Sequence, residues 1–354
     1  MSNHLYIVGL SFLTCLILSA VLFSQFVKSA FLRNRLASSA LALTLTAIVG
    51  ISPIASIFWY NYDFVGDISI WNFLLPLFAS LIIVAGVIIN KPYMLSTSTL
   101  LASIIAVFTC SHINIFPEQP VILNQLLTIL ILWLFSYGFQ ALSGISFLPQ
   151  SEGITICGGL VILYFFGQTP FILCVGAAGI LGALLIAYIH SKSQPLAANS
   201  APVLGFILGW LGLVSYNEHL LPCFTIFSSF YLMELLITLC YKITFIPKYK
   251  NIAYNSISLQ ASKKGLPIAV ENKVIWNSSI LLLIFGLFQL NSPSPYSIPL
   301  FAIIIIGWQL YRMLNWEQES KTWKETNKEL IKELKNSFSN ILPTDKNDNS
   351  SDEK

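Results

Sequence analysis

Apolar stretches long enough to cross a lipid bilayer recur along almost the whole chain, and its basic residues fall only in alternate gaps between them. A hydrocarbon core of about 30 Å takes about 20 apolar residues in a helix, or somewhat fewer in a packed bundle. Eleven such runs can be traced, over 5–27, 38–59, 72–90, 97–112, 121–142, 153–168, 171–190, 201–216, 220–241, 276–290 and 297–313. With 55% hydrophobic and only 10% charged residues, and a mean hydropathy of +0.73, the chain lacks the polar surface of a water-soluble domain. The predicted fold class is an all-α polytopic membrane protein with eleven transmembrane helices.

The first run has no basic segment before it and no small-residue cleavage site after it, so it is expected to be a retained span and not a secretory signal. Lys28, Arg33 and Arg35 follow at once, which by the positive-inside rule puts the first loop in the cytoplasm and the N-terminus outside. Later gaps agree with this orientation. Lys91, Lys192, the Lys242 to Lys273 segment and the tail from Arg312 fall inside, while Asp63, Asp67, Glu118 and Glu218 fall outside. All 19 Lys and Arg therefore lie on one side, and the net charge of +3 reflects topology and not nucleic-acid binding.

The cysteines, Cys15, Cys110, Cys157, Cys174, Cys223 and Cys240, form no CxxC or Cys/His cluster and are expected to pack as small apolar residues. No phosphate-binding or dinucleotide-binding glycine signature is present. The membrane domain is predicted over 1–315. Beyond it, Leu330, Ile331, Leu334, Phe338 and Ile341 follow helical spacing, with Glu325/Lys328 and Glu329/Lys332 three apart. A cytoplasmic amphipathic helix is predicted over 316–342, able to dock on a protein partner, lie on lipid or fold back on the cytoplasmic loops. Pro343 ends it, and 343–354 is expected to be disordered.

Three landmarks in the second half of the chain stand in a telling order. Ala201-Pro202-Val203-Leu204-Gly205-Phe206 opens the eighth run, with Gly209 one turn on. Phe230-Tyr231-Leu232-Met233-Glu234-Leu235-Leu236-Ile237 places an acid inside the ninth. A basic loop then ends in Lys264-Gly265-Leu266-Pro267 and Lys273-Val274-Ile275-Trp276 before the tenth. Over roughly residues 70 to 290 this series resembles the polyprenyl-phosphate sugar-1-phosphate transferases, the family of phospho-N-acetylmuramoyl-pentapeptide transferase and undecaprenyl-phosphate N-acetylglucosamine-1-phosphate transferase. The resemblance implies ten or eleven spans, an outside N-terminus, a bacterial-type plasma membrane and a cytoplasmic magnesium-dependent site acting on polyprenyl phosphate.

The family's acids, however, are missing. Where members end the third span with an aspartate pair, this chain reads Gly86-Val87-Ile88-Ile89-Asn90-Lys91. Where they carry Asp-Gly-Ile/Leu-Asp-Gly, it reads Ser143-Gly144-Ile145-Ser146-Phe147. Where they carry Gly-Asp-x-Gly-Ser, it reads Ala197-Ala198-Asn199-Ser200-Ala201, and the histidine-rich stretch falls near Ser258-Leu259-Gln260. No aspartate lies between Asp67 and Asp345. Magnesium favours carboxylate, phosphate and water oxygens, and it neutralises the charges that phosphoryl transfer brings together. Ile89, Ser143, Ser146 and Ala198 supply no carboxylate, so no cofactor is expected at the family position.

Three acids remain to be placed. Glu152, expected at the start of the sixth span, and Glu271, expected in the basic loop, are the two acids of the cytoplasmic face outside the tail, and offer a divergent site for catalysis. As a loop residue Glu271 would ordinarily be solvated. Glu234 is the acid expected within the membrane, where packing against a neighbouring helix is its ordinary role. Asn90, Lys91, Ser143, Ser146, His190, Asn199, Lys264 and Lys273 are candidate contacts for phosphate or lipid, since interfacial lysines gain about 1 kcal/mol each near an anionic surface.

The leading expectation is a catalytically degenerate homologue serving as membrane scaffold, lipid-phosphate binder or regulator, with membrane lipids, polyprenyl phosphate or a protein as partner. The alternatives are an active transferase using Glu152 and Glu271, and a membrane transporter.

Overall fold

The computed structural model describes residues 2–28, 44, 48, 71–89, 92–109, 120–142, 148–191, 201–217, 219–244, 257–264 and 266–316. Every regular element among them is an α-helix. In chain order these are α1 (Ser2–Lys28), α2 (Trp71–Ile89), α3 (Pro92–Thr109), α4 (Val121–Leu142), α5 (Leu148–Phe165) and α6 (Phe171–Ser191). There follow α7 (Ala201–Asn217), α8 (Leu221–Phe227), α9 (Ser229–Thr244), α10 (Ile257–Lys263), α11 (Ile268–Leu290) and α12 (Ser297–Leu314). The second predicted span, at 38–59, and the predicted tail helix and disordered end lie outside the described residues, apart from Thr44, Ile48 and Trp316.

Among the described residues, five helices carry windows long and apolar enough to cross a membrane: Leu5–Leu22, Val121–Phe139, Leu148–Phe165, Val270–Leu290 and Ser297–Leu314. The bent pair α8–α9 makes a sixth, and shorter apolar helices cover Leu75–Ile89, Tyr93–Thr109, Leu173–Ile189 and Ala201–Tyr216. A helix satisfies all its interior backbone groups by itself, which is why such sequences adopt no other regular form in lipid. The chain is thus an all-helical protein with several helices fit to span a membrane.

Where the polar side chains go follows from the same solvent argument. Outer faces are apolar: Leu10, Leu13, Ile17 and Val21 on α1, Ile280, Ile284 and Phe288 on α11, and Leu300, Ile304 and Trp308 on α12 are exposed at helical spacing. Small and hydroxyl residues face inward and let helices approach closely. Ser11 Oγ donates to the Val175 carbonyl at 3.0 Å, tying α1 to α6, and Ser136 Oγ donates to the Pro202 carbonyl at 2.6 Å, tying α4 to α7. Cys15, Cys157, Cys174 and Cys223 are buried, as expected of packing residues, whereas Cys240 is exposed.

α7 lies at the centre, buried from Ala201 to Ser215 and packed on α2, α4 and α5. Around it α2, α3 and α4 form one group, α5, α6 and α1 a second, and α8, α9, α11 and α12 a third.

One predicted span departs from a straight helix. The run over 220–241 is broken at Ser228, where α8 and α9 meet at 67°. Serine pairs bend helices by bonding back to the preceding turn. Here Ser228 Oγ donates to the Phe224 carbonyl at 2.8 Å and Ser229 Oγ to that of Thr225 at 2.7 Å. Just before the break the Phe227 ring is wedged between Gly159 of α5 and Gly286 of α11, two positions where a Cβ would collide with it. Below the break Tyr231 donates its phenolic O–H to the Phe135 carbonyl at 2.9 Å, and its ring packs at a tilt against Phe135 and Phe139, with centroids 4.5 Å away in each case.

A candidate functional site of buried carboxylates

The break has a chemical consequence, because a helix that restarts inside a bundle presents N–H groups with no partner in their own helix. The Tyr231 N–H, in the first turn of α9, is given to the carboxylate of Glu152 on α5. The positive end of the α9 dipole therefore faces the carboxyl group of Glu152. Glu152 lies in a wholly buried first turn, Leu148 to Gly153. Pro149 suits the start of a helix, where its missing N–H costs nothing, and α5 consequently begins at Leu148, ahead of the expected 153.

α11 starts early for a similar reason. Pro267, extended at φ −64° and ψ 135°, precedes Ile268, so the helix begins eight residues ahead of the apolar run and includes Glu271 in its first turn. These starts overturn two expectations. Glu271 is not a solvated loop acid but a helical residue, and it and Glu152 are each only 1% exposed. Nor is Glu234, fully buried on α9, the one acid within the membrane helices.

The three carboxylates belong together. Glu152 and Glu271 both lie within electrostatic reach of Glu234, which makes the α9 residue the hub of the group. Oε2 of Glu152 and Oε1 of Glu271 have no hydrogen-bond partner among the described residues. Thr238, one turn beyond Glu234 on the same face of α9, has a buried hydroxyl that is likewise unpartnered among them. Gln150, fully buried on α5, has neither amide atom engaged. No group of three or more His, Cys, Asp and Glu side chains among the described residues is arranged to hold a metal ion.

Two of the candidate phosphate contacts are visible, and both face outward. Lys264 ends the α10 segment, exposed, with Nζ donating to the Leu314 carbonyl at the C-terminus of α12 at 3.3 Å. Lys273 is exposed on α11, two residues from the buried Glu271. His190 is helical in the last turn of α6, with its side chain outside the described set. Asn90, Lys91, Ser143, Ser146 and Asn199 lie outside the described residues. Near the lysines Trp276 Nε1 donates to Tyr188 Oη at 2.9 Å and joins α11 to α6.

Thr238, Gln150 and the Tyr231 N–H were not among the residues picked out by sequence. The four-residue step from Glu234 to Thr238 was a usable signal, whereas the exposed N–H depends on the break. No family model matches this chain, and no curated protein matches it.

Proposed function

We propose that this chain is a membrane-embedded binder of lipid phosphate, keeping the frame of the prenyl-phosphate sugar-1-phosphate transferases and lacking their chemistry. The observation that carries this is the division of charge: Glu152 and Glu271 are buried, while Lys264 and Lys273 stand exposed beside the start of α11. A metal serving phosphoryl transfer must bridge the substrate's diphosphate. Carboxylates closed off within a bundle are poorly placed to hold such an ion, whereas exposed interfacial lysines meet anionic headgroups directly. In this reading the chain crosses a bacterial-type plasma membrane eleven times, with the N-terminus outside, the lysines in the cytoplasm and the 316–342 segment available to a protein partner.

The test uses the full chain in nanodiscs with polyprenyl phosphate or phosphatidylglycerol as the anionic lipid. Preferential binding of polyprenyl phosphate, weakened in K264A/K273A, is expected, together with no magnesium-dependent exchange between a uridine-diphosphate sugar and uridine monophosphate. Equal binding of the two lipids, or exchange that the E152Q/E271Q variant loses, would overturn the proposal.

A specific observation also favours each alternative. Glu152 and Glu271 share Glu234 as a neighbour, as a divergent active site would require. The broken span beside buried acids is a combination found in transporters. Substrate-dependent uptake into liposomes would move the assignment to transport.

A further inference from the structure

Three side-chain contacts fix how α11 and α12 stand beside one another. Ser278 is hydrogen-bonded to Gln309, the Phe285 ring lies 5.6 Å from that of Phe301, and Ser292 Oγ is 3.4 Å from Ser297 Oγ. The contacts run in opposite order along the two helices, so the hairpin is antiparallel. Asn277 is level with the turn from Trp308 to Tyr311, and Asn291 is level with Tyr296.

The outward face of this hairpin is apolar over a short distance only. On α11 the exposed positions from Lys273 onward are Asn277, Ile280, Ile284, Phe288 and Asn291. The two asparagines stand 14 residues apart, about 21 Å along the helix axis. On α12 the exposed Leu300, Phe301 and Ile304 lie between Tyr296 at one end and the stacked Trp308 and Tyr311 at the other. Tyr296 and Tyr311 are 15 residues apart, about 22 Å. Aromatic side chains gather at membrane–water interfaces, and an exposed amide avoids hydrocarbon, where nothing satisfies it. Both helices therefore bound the same apolar slab, thinner than the usual core of about 30 Å, and any helix tilt lowers the figure further. By contrast, α1 exposes no charged or amide side chain over the 18 residues from Leu5 to Leu22, about 27 Å.

We propose that the α11–α12 hairpin is a bilayer-thinning surface, and that the partner it fits is lipid with short acyl chains. An apolar face shorter than the surrounding hydrocarbon is accommodated by thinning of the lipid beside it. Lys273, one turn beyond Asn277 on the same face of α11, then meets headgroups drawn toward the bilayer centre. This surface is independent of whether the lysines select polyprenyl phosphate.

The experiment places the full chain in phosphatidylcholine bilayers with fourteen-, eighteen- or twenty-two-carbon chains. Nitroxide labels at Asn277→Cys, Asn291→Cys and, on α1, Leu13→Cys, each in a background without other cysteines, report depth by their collisions with oxygen and with a water-soluble nickel chelate. In the eighteen-carbon bilayer both hairpin labels are expected at headgroup level and the Leu13 label within the hydrocarbon. Hairpin labels deep in the hydrocarbon would overturn the proposal, and so would shielding from both reagents, the result if a second copy of the chain covered this face. Because the labels replace the asparagines, a second arm keeps them: chain lengths compete for the wild-type protein against brominated lipid, and the share of tryptophan quenching lost in W308F isolates lipid beside α12. Fourteen-carbon lipid is expected to compete best there, and N277L/N291L, which lengthens the apolar stripe, should move the optimum to longer chains. A wild-type optimum at eighteen or twenty-two carbons, or an optimum unmoved in a folded N277L/N291L, counts against a thinning surface.

Discussion

Phe227 shows how much one side chain decides in this bundle. Its ring occupies the space left by two absent Cβ atoms, at Gly159 on one side and Gly286 on the other, so neither neighbour can grow without displacing it. Gly286→Ala is expected to destabilise the protein by about 1–3 kcal/mol through overpacking. The comparison residue is Gly158, where an added Cβ meets nothing within 4 Å. Gly158→Ala should be neutral or stabilising by up to about 1 kcal/mol, from helix propensity alone. Melting temperatures of the two variants in one detergent separate these outcomes, and equal shifts would remove the wedge explanation. Tyr231→Phe loses the 2.9 Å bond to Phe135 and is expected to cost about 1 kcal/mol while keeping the tilted ring contact.

Among the elements, α11 is held by both packing and side-chain hydrogen bonds. It packs on α5, α8 and α12, its Trp276 reaches Tyr188 on α6, and its Ser278 is hydrogen-bonded to Gln309 on α12. Trp276→Phe and Tyr188→Phe each remove the same 2.9 Å bond, so their effects should overlap. A double-mutant cycle on unfolding free energy is expected to give a coupling of about 0.5–1.5 kcal/mol. A coupling of zero would mean that the indole–phenol contact contributes nothing to the docking of α11 on α6. The broken α8–α9 element works by different means. Its serines bend it, its phenylalanine is trapped beside the bend, and the N–H freed there is given to Glu152.

Among the described residues, the outer faces of the long helices are largely apolar and the acids Glu152, Glu234 and Glu271 are buried, the reverse of a soluble globule. Exposed Ile280, Ile284 and Phe288 form one lipid-facing stripe, while Glu152, Glu234 and Glu271 are buried. α11 has 23 residues, about 35 Å at the usual helical rise, enough to separate its two ends by a bilayer core. Single cysteines at Lys264 and Ser294, in a background without other cysteines, should therefore react from opposite sides. In intact cells a membrane-impermeant thiol reagent is expected to label Ser294→Cys and spare Lys264→Cys. Labelling of both, or of Lys264→Cys alone, would contradict the cytoplasmic placement of the lysines.

Hydropathy alone determined that the chain is helical and apolar enough to cross a membrane repeatedly, because a bilayer sets the length and composition of any segment that crosses it. Helices such as Val121–Leu142 and Ser297–Leu314 fall close to the predicted runs for that reason. The lack of aspartate between Asp67 and Asp345 was also legible, since it needs no coordinates. Three things required the tertiary structure. The starts of α5 and α11 were hidden because hydropathy stops at polar residues, whereas a helix opened by proline continues through them and buries Glu152 and Glu271. The break at Ser228 was hidden because serine bends a helix only when neighbours such as Gly159 and Gly286 receive the displaced ring. The meeting of three acids from α5, α9 and α11 was hidden because it depends on how helices distant in sequence pack, and the one-dimensional pattern of apolar residues carries no record of which helix faces which.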